Sequence, residues 1–464
     1  MIRHLACFLG LLVFTHAVSA AESKPNVLFI AVDDLNDWIG CLGGHPDCKT
    51  PNIDRLSKRG VLFTRSYCAS PSCNPSRVAL MTGVRPWTSG VYTNRQPFRQ
   101  AMPNVVTLPT HFMQNGYKVH GSGKIYHGRY PDPKSWQDYL RKGSDPKPSP
   151  EILKSPRSKS GGIVFGVLDV KNEAMDDHKM VNYAIDFLKE EHNKPFFLAC
   201  GIFKPHMPWQ VPRKYYDMYP PEKIQLPKTL DTDLDDVPLG GKRMARPDGD
   251  HATMLKTGNW RYAVQAYLAS ITFADAQVGR LLKGLDASPH ADNTIIVLWG
   301  DHGWHLGEKH HWRKFALWEE ATRAPLMMTV PGLTKANSRC GRTVDFMNIY
   351  PTLCELCDLP QPDHLEGVSM TSLLKNPQTE WSRPAITTYN RGNHAIRSER
   401  YRYIRYADGG EELYDHETDP LEWKNLAGNP KLANVKAALG KWLSKKNAPN
   451  SPSEVQKNKK RKKG

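Results

Sequence analysis

Two uninterrupted apolar segments, each followed at once by acidic residues, constrain the fold of this 464-residue chain most. Residues 27–32 (VLFIAV) precede Asp33-Asp34, and residues 294–299 (TIIVLW) precede, after one glycine, Asp301-His302. A short apolar run without polar alternation is typical of a strand that is buried on both faces of a parallel sheet. Because ligands of open α/β sheets bind beyond the carboxyl ends of the strands, the two acidic turns are expected to meet.

Further segments predict the other layers of an α/β domain. Residues 196–200 and 326–330 are additional strand candidates, and two other segments carry apolar residues at helical spacing. The two helical faces are Met180, Val181, Ala184, Ile185 and Leu188, and Phe273, Ala274, Val278, Leu281, Leu282 and Leu285. The alternation of strands and helices predicts a layered sheet.

Three segments depart from this alternation. Residues 141–162, rich in Pro, Ser and Lys, and residues 230–253, rich in Asp and Gly, are predicted to be long irregular loops. Such loops in compact domains are usually disordered or act as functional lids. Residues 395–406 alternate aromatic and charged side chains, and residues 411–415 follow two glycines, which predicts an antiparallel hairpin.

The amino-terminal residues indicate export. Arg3 and His4 precede the apolar run 5–14, and residues 18–20 (VSA) form a small-residue cleavage site, so residues 1–20 are predicted to be a signal peptide. The run is well short of the ~20 residues that span a bilayer, and no later stretch qualifies as a membrane span. We therefore expect a periplasmic, secreted or lysosome-like location.

The net charge of +16 favours anionic partners. For an exported protein, sulfated polysaccharides are a more accessible class than nucleic acid, so no nucleic-acid partner is expected. The end of the chain, residues 447–464, contains the run KNKKRKK at 457–463 and is predicted to be a disordered basic tail.

The cysteine count allows disulfides but fixes none. The chain has nine cysteines, eight of them after the predicted signal peptide. Setting Cys73 aside leaves an odd number, so at least one thiol is expected to be free or bonded to another chain. An oxidising compartment permits disulfides, and Cys41/Cys48 and Cys354/Cys357 are close in sequence, but spacing establishes neither pair.

Cys73 begins the sequence CNPSRVALMTG, which ends at Gly83. Cysteine is a good nucleophile, but no signature of a papain-like or caspase-like site surrounds this one. The pattern Cys-x-Pro-x-Arg, followed after four residues by Thr-Gly, resembles the maturation signature of the type I sulfatases. In that family the cysteine is oxidised to formylglycine, which implies a formylglycine-generating maturation enzyme as a partner.

The implied oxidation has a chemical purpose. An aldehyde hydrates to a gem-diol, and one of the two hydroxyls attacks the sulfur of a sulfate ester. The other hydroxyl then loses its proton and expels sulfate as the carbonyl re-forms. This covalent catalysis divides one difficult step into two easier ones, whereas a serine would be left as a stable sulfate ester.

The acidic turns offer ligands for a metal ion. Calcium favours six to eight oxygen ligands in flexible geometry, and a divalent cation would polarise sulfate oxygens. The resemblance implies one calcium ion held by Asp33, Asp34, Asp301 and His302 beside the formylglycine made from Cys73. The family often has asparagine where His302 stands here, and imidazole is a less usual calcium ligand.

The resemblance also implies roles for five other residues. Lys124 would bind the sulfate or a diol hydroxyl, and His127 would assist removal of a proton from the diol. His206, held between two prolines, matches the histidine that meets the leaving-group oxygen, and Lys314 matches the lysine on the sulfate. Arg77 would bond to the formylglycine side chain.

Residues 76–77 are expected to begin a helix. The amide groups at the amino-terminal end of a helix favour negative charge. Such an end would help to hold an anionic group near Cys73.

Across nearly the whole mature chain the resemblance is closest to the iduronate-2-sulfatase branch of the family. It is carried by residues 50–54 (TPNID), 204–206 (KPH), 277–282 (QVGRLL) and 301–308 (DHGWHLGE). Members with this pattern remove the 2-O-sulfate of uronic acid residues in heparan or dermatan sulfate. Sulfated algal polysaccharides remain an alternative substrate, because pocket loops set specificity.

The resemblance implies an α/β fold of the alkaline phosphatase type. A large layered sheet domain with helices on both faces would occupy residues 21–375. A smaller C-terminal α+β subdomain with an antiparallel sheet would occupy residues 376–446.

Two other classes of function share some of these features. A phosphodiesterase or phosphatase of the alkaline phosphatase superfamily has the same sheet, but it normally uses serine or threonine with two zinc ions. A non-catalytic polyanion-binding protein would use the positive charge without needing Cys73, His127, His206 and Lys314. Turnover of a small aryl sulfate separates the three classes.

Overall fold

A computed structural model describes residues 24–453. The predicted signal peptide and the last part of the predicted basic tail, residues 454–464, lie outside the described residues. Among the helices of residues 24–453, none combines the length and the apolar character needed to cross a membrane.

The described residues form strands of two to eight residues. They are β1 (Asn26–Val32), β2 (Val61–Tyr67), β3 (Lys118–Gly123), β4 (Asp138–Arg141), β5 (Lys159–Ser160), β6 (Ile163–Leu168), β7 (Phe196–Ile202), β8 (Trp209–Pro212), β9 (Thr294–Gly300), β10 (His305–Leu306), β11 (Trp312–Arg313), β12 (Leu326–Thr329), β13 (Ser338–Asp345), β14 (Ala385–Thr388), β15 (His394–Arg397), β16 (Tyr401–Arg405) and β17 (Glu411–Asp415).

The α-helices of the same residues vary more in length. They are α1 (Pro51–Ser57), α2 (Cys73–Thr82), α3 (Pro86–Ser89), α4 (Phe98–Ala101), α5 (Leu108–Gln114), α6 (Pro150–Lys154), α7 (Asp176–Lys189), α8 (Arg213–Tyr216), α9 (Leu239–Ala245), α10 (Asp250–Thr257), α11 (Trp260–Asp286), α12 (Glu319–Thr322), α13 (Ile349–Leu356), α14 (Thr371–Lys375) and α15 (Ala433–Gly440).

Eight strands form a large mixed sheet in the order β13-β2-β12-β9-β1-β7-β3-β4. The two strands predicted from apolar runs, β1 and β9, are parallel neighbours, and β7 flanks β1 on its other side. Strand β12 pairs antiparallel with both of its neighbours, while the other pairings in this sheet are parallel. The predicted central position of the apolar strands is confirmed.

Strand β1 is buried on both faces, as its composition predicted. Leu28, Ile30 and Val32 pack in one hydrophobic core with residues of α7 and α11. The intervening residues pack in a second core with residues of α2, α5 and α13. Both predicted amphipathic helices are therefore present, as α7 and α11, and helices cover both faces of the sheet.

A smaller antiparallel sheet, β14-β15-β16-β17, follows in the chain. Its last two strands form the hairpin that the alternating aromatic and charged residues predicted. The Thr387 hydroxyl donates to the Cys68 carbonyl at 2.6 Å, and the Thr388 N–H donates to the Ala69 carbonyl at 2.9 Å. These bonds attach the small sheet to the loop that leads from β2 to α2.

The structure corrects several expectations about local structure. Residues 141–162 contain α6 and β5, and residues 230–253 contain α9 and the start of α10, so neither segment is wholly irregular. The Ser149 side chain accepts the Ile152 N–H, which caps a short helix that composition alone conceals. Helix α2 begins at Cys73 rather than at residue 76. All eight described cysteines are unbonded.

Candidate active site

The acidic turns meet because β1 and β9 are parallel neighbours in register. Val32 pairs with Gly300, so the residues that follow each strand emerge at the same edge of the sheet. The Asp34 N–H donates to Asp301 Oδ1 at 2.9 Å. The predicted meeting of residues almost 270 positions apart is therefore present in the fold.

Cys73 lies at the first position of α2, against these turns, and is 1% exposed. Its Sγ lies 2.8 Å from Lys314 Nζ and 3.4 Å from His302 Nε2. Lys124 Nζ is 3.7 Å away, and Asp34 Oδ1 is 3.8 Å away. The thiol therefore stands among two ammonium groups, an imidazole and a carboxylate.

Arg77, one helical turn after Cys73, ties these parts together. Its guanidinium is fully buried and lies 2.9 Å from Asp33 Oδ1 and 2.9 Å from Asp301 Oδ2. Another of its N–H groups donates to the Ile125 carbonyl at 2.9 Å. Burial opposes the charge of Arg77, but Asp301 and Asp33 outweigh that effect and raise its pKa.

Four side chains offer ligand atoms to a single position. One oxygen, nitrogen or sulfur atom each from Asp34, Cys73, Asp301 and His302 lies within 4.8 Å of the others, and all four residues are buried. His302 Nδ1 lies 3.0 Å from the Gly303 carbonyl, which favours a hydrogen on Nδ1 and leaves the lone pair of Nε2 facing the cluster. Asp34 Oδ2 is buried without a hydrogen-bond partner. The cluster therefore fits a metal ion.

Asp33 lies at the edge of this position. It belongs to a second group of possible ligands with Asp34 and His206, also within 4.8 Å of one another. It also forms an ion pair with Lys124 Nζ. Asp33 can thus bind a metal ion or hold the lysine.

The three carboxylates experience different environments. Burial opposes the charge of Asp33, but Lys124, His206 and Arg77 outweigh it and hold its pKa well below the usual range. For Asp301, Arg77 likewise outweighs burial and lowers the pKa. Burial instead raises the pKa of Asp34, although Lys314 lies 2.7 Å from its Oδ1. Asp34 is therefore the carboxylate whose negative charge a bound cation would stabilise most.

Lys124, His127 and His206 line one cavity of about 320 Å³ beside Cys73. Lys124 follows β3, and the His206 loop follows β7, the strand between β3 and β1. Burial and the charge of Lys124 lower the pKa of His127 to about 3, so its imidazole is neutral at physiological pH. His127 therefore lines the cavity as a neutral imidazole, and within residues 24–453 no hydrogen bond joins it to Cys73.

His206 is partly exposed, at 28% of its side chain. Its Nδ1 lies 2.6 Å from the Met207 carbonyl, which favours a hydrogen on Nδ1. Its Nε2 lies 3.8 Å from Asp34 Oδ2. Nε2 is therefore the nitrogen that a molecule entering the cavity would meet.

Sequence reasoning missed several residues that position these groups. Lys314 Nζ lies 5.3 Å from the centre of the Trp304 ring, and Lys124 Nζ lies 5.3 Å from that of Phe203. The Tyr267 hydroxyl donates to the Asp34 carbonyl at 2.8 Å. Trp304 lies within the 301–308 stretch and could have been suspected, whereas Tyr267 is one buried aromatic among many in α11.

Comparisons with known proteins identify relatives of this site and fold. A sulfatase of Formosa agariphila is 40% identical over 451 residues, which cover 93% of this chain and 88% of the relative. The iduronate 2-sulfatase of Homo sapiens is 32% identical over 385 residues, which cover 77% of this chain and 69% of the relative. The solved structure of BT1596, a 2-O GAG sulfatase, has the same fold, with a TM-score of 0.71 at 24% identity over 90% of each chain.

Family comparison covers nearly all of the described chain. The sulfatase model matches residues 25–359, and the model for the C-terminal region of N-sulphoglucosamine sulphohydrolase matches residues 307–449. The first range contains every predicted site residue from Asp33 to Lys314. The chain therefore belongs to the sulfatase family, whose members hydrolyse sulfate esters.

Proposed function

We propose that this sulfatase removes the 2-O-sulfate of uronic acid residues in sulfated polysaccharides, through a formylglycine hydrate made from Cys73. The observation that carries the proposal is the position of Cys73, in its Cys-x-Pro-x-Arg sequence, 2.8 Å from Lys314 Nζ and within a cluster of metal ligands. A structural cysteine would not need this surrounding of charges. The identity with iduronate 2-sulfatase supports the choice of sugar.

In the proposed site, Asp33, Asp34, Asp301 and His302 would hold one calcium ion together with the matured residue 73. The ion would polarise the sulfate oxygens and offset the carboxylate charge. Three buried carboxylates and three buried cations, Arg77, Lys124 and Lys314, already balance within the site. This balance suits a site that takes up a cation and an anion together.

Two lysines are proposed to hold the sulfate group. Cys73 Sγ occupies the position from which the hydroxyls of the matured residue would extend. Lys314 and Lys124 approach this position at 2.8 and 3.7 Å, and burial makes their charges effective because little water screens them. Their ammonium groups would stabilise charge on the sulfate oxygens and on the attacking hydroxyl.

Two histidines are proposed to move protons. His127 would accept a proton from the diol, consistent with an imidazole that is neutral above pH 3. His206 would donate a proton to the leaving sugar oxygen. Since its Nδ1 faces a carbonyl, His206 must hold a second proton on Nε2 to act as this acid.

The cavity also offers positive charge for a uronate carboxylate. Arg141 and Lys142 line it together with Lys124 and His206. Lys142 Nζ lies 3.8 Å from Asp176 and 4.0 Å from Asp145, while Arg141 is exposed. Arg141 is therefore the better candidate for the carboxylate.

Maturation of Cys73 is proposed to need a formylglycine-generating enzyme in the producing cell, and the protein is proposed to be exported. Mass spectrometry tests the first point. Trypsin should release residues 66–77, which contain both Cys68 and Cys73. Alkylation of one cysteine only, with a carbonyl at residue 73, is the expected result, and Cys68 serves as the control within the same peptide.

Activity tests the reaction. Cys73→Ala should abolish sulfate release, whereas Cys68→Ala should retain it. The substrates are nitrophenyl sulfate, a 2-O-sulfated uronate disaccharide, a sulfated algal oligosaccharide and a nitrophenyl phosphodiester. Full activity of Cys73→Ala would end the proposed mechanism. A preference for the algal oligosaccharide would identify a sulfated algal glycan as the substrate instead, and a preference for the phosphodiester would identify the protein as a phosphodiesterase.

A further inference from the structure

A second cleft, of about 710 Å³, lies beside Lys314 and has no part in the proposed mechanism. We call it the Arg246 cleft. It is formed by α9 and the turn after it, by residues on either side of Lys314, and by the loop between β14 and β15. Its lining includes Arg243, Arg246, Arg313, Phe315, Tyr389 and Asn390.

The cleft adjoins the candidate active site at Lys314. Arg313 and Phe315 line it and are the chain neighbours of Lys314. Lys314 Nζ lies 5.8 Å from the centre of the Phe315 ring, and the Phe315 N–H donates to the Pro71 carbonyl at 3.1 Å, two residues before Cys73. The aromatic ring of Phe315 therefore stands between the cleft and the side chain of Lys314.

Two unpaired arginines give the cleft a capacity to bind anions. Arg243 and Arg246 are exposed, and neither has an ion-pair partner among residues 24–453. Arg313, in contrast, is paired with Asp250, with 2.6 Å between Nε and Oδ2.

The other acidic groups of the lining leave these two arginines available. The Asp408 side chain accepts the Gly410 N–H at 3.1 Å, and Asp248 is exposed to solvent. The cleft thus combines free cations with carboxylates that can accept hydrogen bonds from sugar hydroxyls.

An aromatic wall completes the cleft. The Phe315 and Tyr389 rings are 6.0 Å apart between centroids and inclined by 33°. Both side chains are only partly buried, so their rings border open space. Aromatic side chains with a few polar groups in a concave site are typical of small-molecule and sugar binding.

The backbone of the cleft is held in a costly conformation. Arg246, Arg313, Phe315 and Asn390 all have positive φ, between 51° and 80°. This left-handed region is unfavourable for residues other than glycine, and strain of this kind concentrates at functional sites. His311 fixes part of it, since its Nδ1 lies 2.8 Å from the Ala245 carbonyl and its Nε2 2.7 Å from the Lys314 carbonyl.

We infer that the Arg246 cleft binds a second, anionic sugar of the substrate, next to the sugar that loses its sulfate. Arg243 and Arg246 bind its carboxylate or sulfate, and Phe315 and Tyr389 contact its ring. The inference rests on the proposed function and adds that the enzyme recognises more than one sugar.

Chain length tests this inference. We expect the wild-type kcat/KM to be roughly tenfold higher for a 2-O-sulfated tetrasaccharide than for the disaccharide, since two exposed ion pairs contribute about that factor. The double variant Arg243→Gln/Arg246→Gln should lose this advantage but keep its turnover of nitrophenyl sulfate. Lys58→Gln/Lys335→Gln removes two exposed charges at the opposite edge of the sheet and should behave as wild type.

A binding measurement keeps the two proposals separate. The same tetrasaccharide is titrated into Cys73→Ala protein with and without the two arginine substitutions, and roughly tenfold weaker binding is expected with them. Failure of the wild type to release sulfate, with this difference in binding intact, would refute only the proposed reaction. Three results would each overturn the inference about the cleft. They are an unchanged chain-length advantage in the double arginine variant, equal tetrasaccharide binding with and without the two substitutions, and a loss of nitrophenyl sulfate turnover equal to the loss on the tetrasaccharide.

Discussion

Arg77 holds the candidate site together although no chemical step is assigned to it. It contacts Asp33, Asp301, two carbonyls that follow β3 and the Trp299 ring, and Cys73 acts on it only through charge. Removing one partner of a buried ion pair typically costs about 3–5 kcal/mol, because the other charge stays buried and unpaired. The motif predicted an arginine near the aldehyde, but a sequence carries no distances and could not predict these partners.

The role of His206 also depends on a single atom, Nε2. A sugar alkoxide is a poor leaving group, and His206 Nε2 is the nitrogen that faces the cavity. His206→Ala is expected to lower kcat on a sugar sulfate by about 10²–10⁴-fold, the usual contribution of general acid catalysis. On nitrophenyl sulfate the loss should be far smaller, because nitrophenolate leaves without a proton.

The matched control is His364→Ala, a half-buried histidine that lines neither cavity of the site. It should leave both rates near wild type. Equal losses on the two substrates in His206→Ala would show that His206 binds sulfate or shapes the cavity instead.

Among the secondary-structure elements, the sequence predicted those whose spacing of apolar residues shows which faces are buried. Strands β1 and β9 are apolar without alternation because helices cover both faces of the sheet. Their direction brings Asp33-Asp34 to Asp301-His302, as expected. Helices α6 and α9 were missed because they have only five and seven residues. Short helices depend on caps and tertiary contacts more than on intrinsic propensity.

The two prolines of the loop between β7 and β8 suggested a rigid loop, and the structure shows the contacts that hold it. Asp177, in the first turn of α7, accepts the Phe203 N–H at 2.7 Å and the Lys204 N–H at 2.9 Å. Lys204 Nζ, fully buried, donates across the loop to the Pro208 carbonyl at 2.6 Å and lies 3.5 Å from Asp145. We therefore propose that Lys204, which is buried beneath the loop, positions His206.

We expect Lys204→Met to loosen this loop. The substitution leaves the Pro208 carbonyl and the Asp145 carboxylate without their buried donor, which should lower the free energy of unfolding by about 1–3 kcal/mol. The kcat on a sugar sulfate should fall more than that on nitrophenyl sulfate, as for His206. Denaturant unfolding and both assays measure this, with Lys189→Met, at an exposed ion pair, as the control. Stability loss with equal effects on both substrates would make Lys204 merely structural.

For the whole molecule, buried charges join the two sheets. Arg402 of β16 is fully buried and forms ion pairs with Glu319 of α12 and, at 2.5 Å, with Glu422. Arg397 of β15 lies 3.4 Å from the same Glu319. We propose that the domain boundary lies between residues 375 and 376, directly after α14, and the network of ion pairs would then cross it. Charged residues are usually expected at the surface, so the sequence could not predict these buried ion pairs between the two sheets.

The bound cation should stabilise the whole fold, because it binds the native site and not the unfolded chain. At a calcium concentration 100 times Kd, binding contributes about 2.7 kcal/mol. For a chain of 464 residues, at roughly 2.1 cal/mol/K per residue, this corresponds to a rise in Tm of about 3 °C. The expectation is strongest at Asp34, whose charge is opposed by burial and whose Oδ2 lacks a hydrogen-bond partner.

Chelation should therefore lower Tm and abolish sulfate release, and added calcium should restore both. Asp34→Asn protein should melt at the same temperature with and without chelator. Wild-type protein shown by elemental analysis to be free of metal, yet fully active and unchanged in Tm, would refute the metal site.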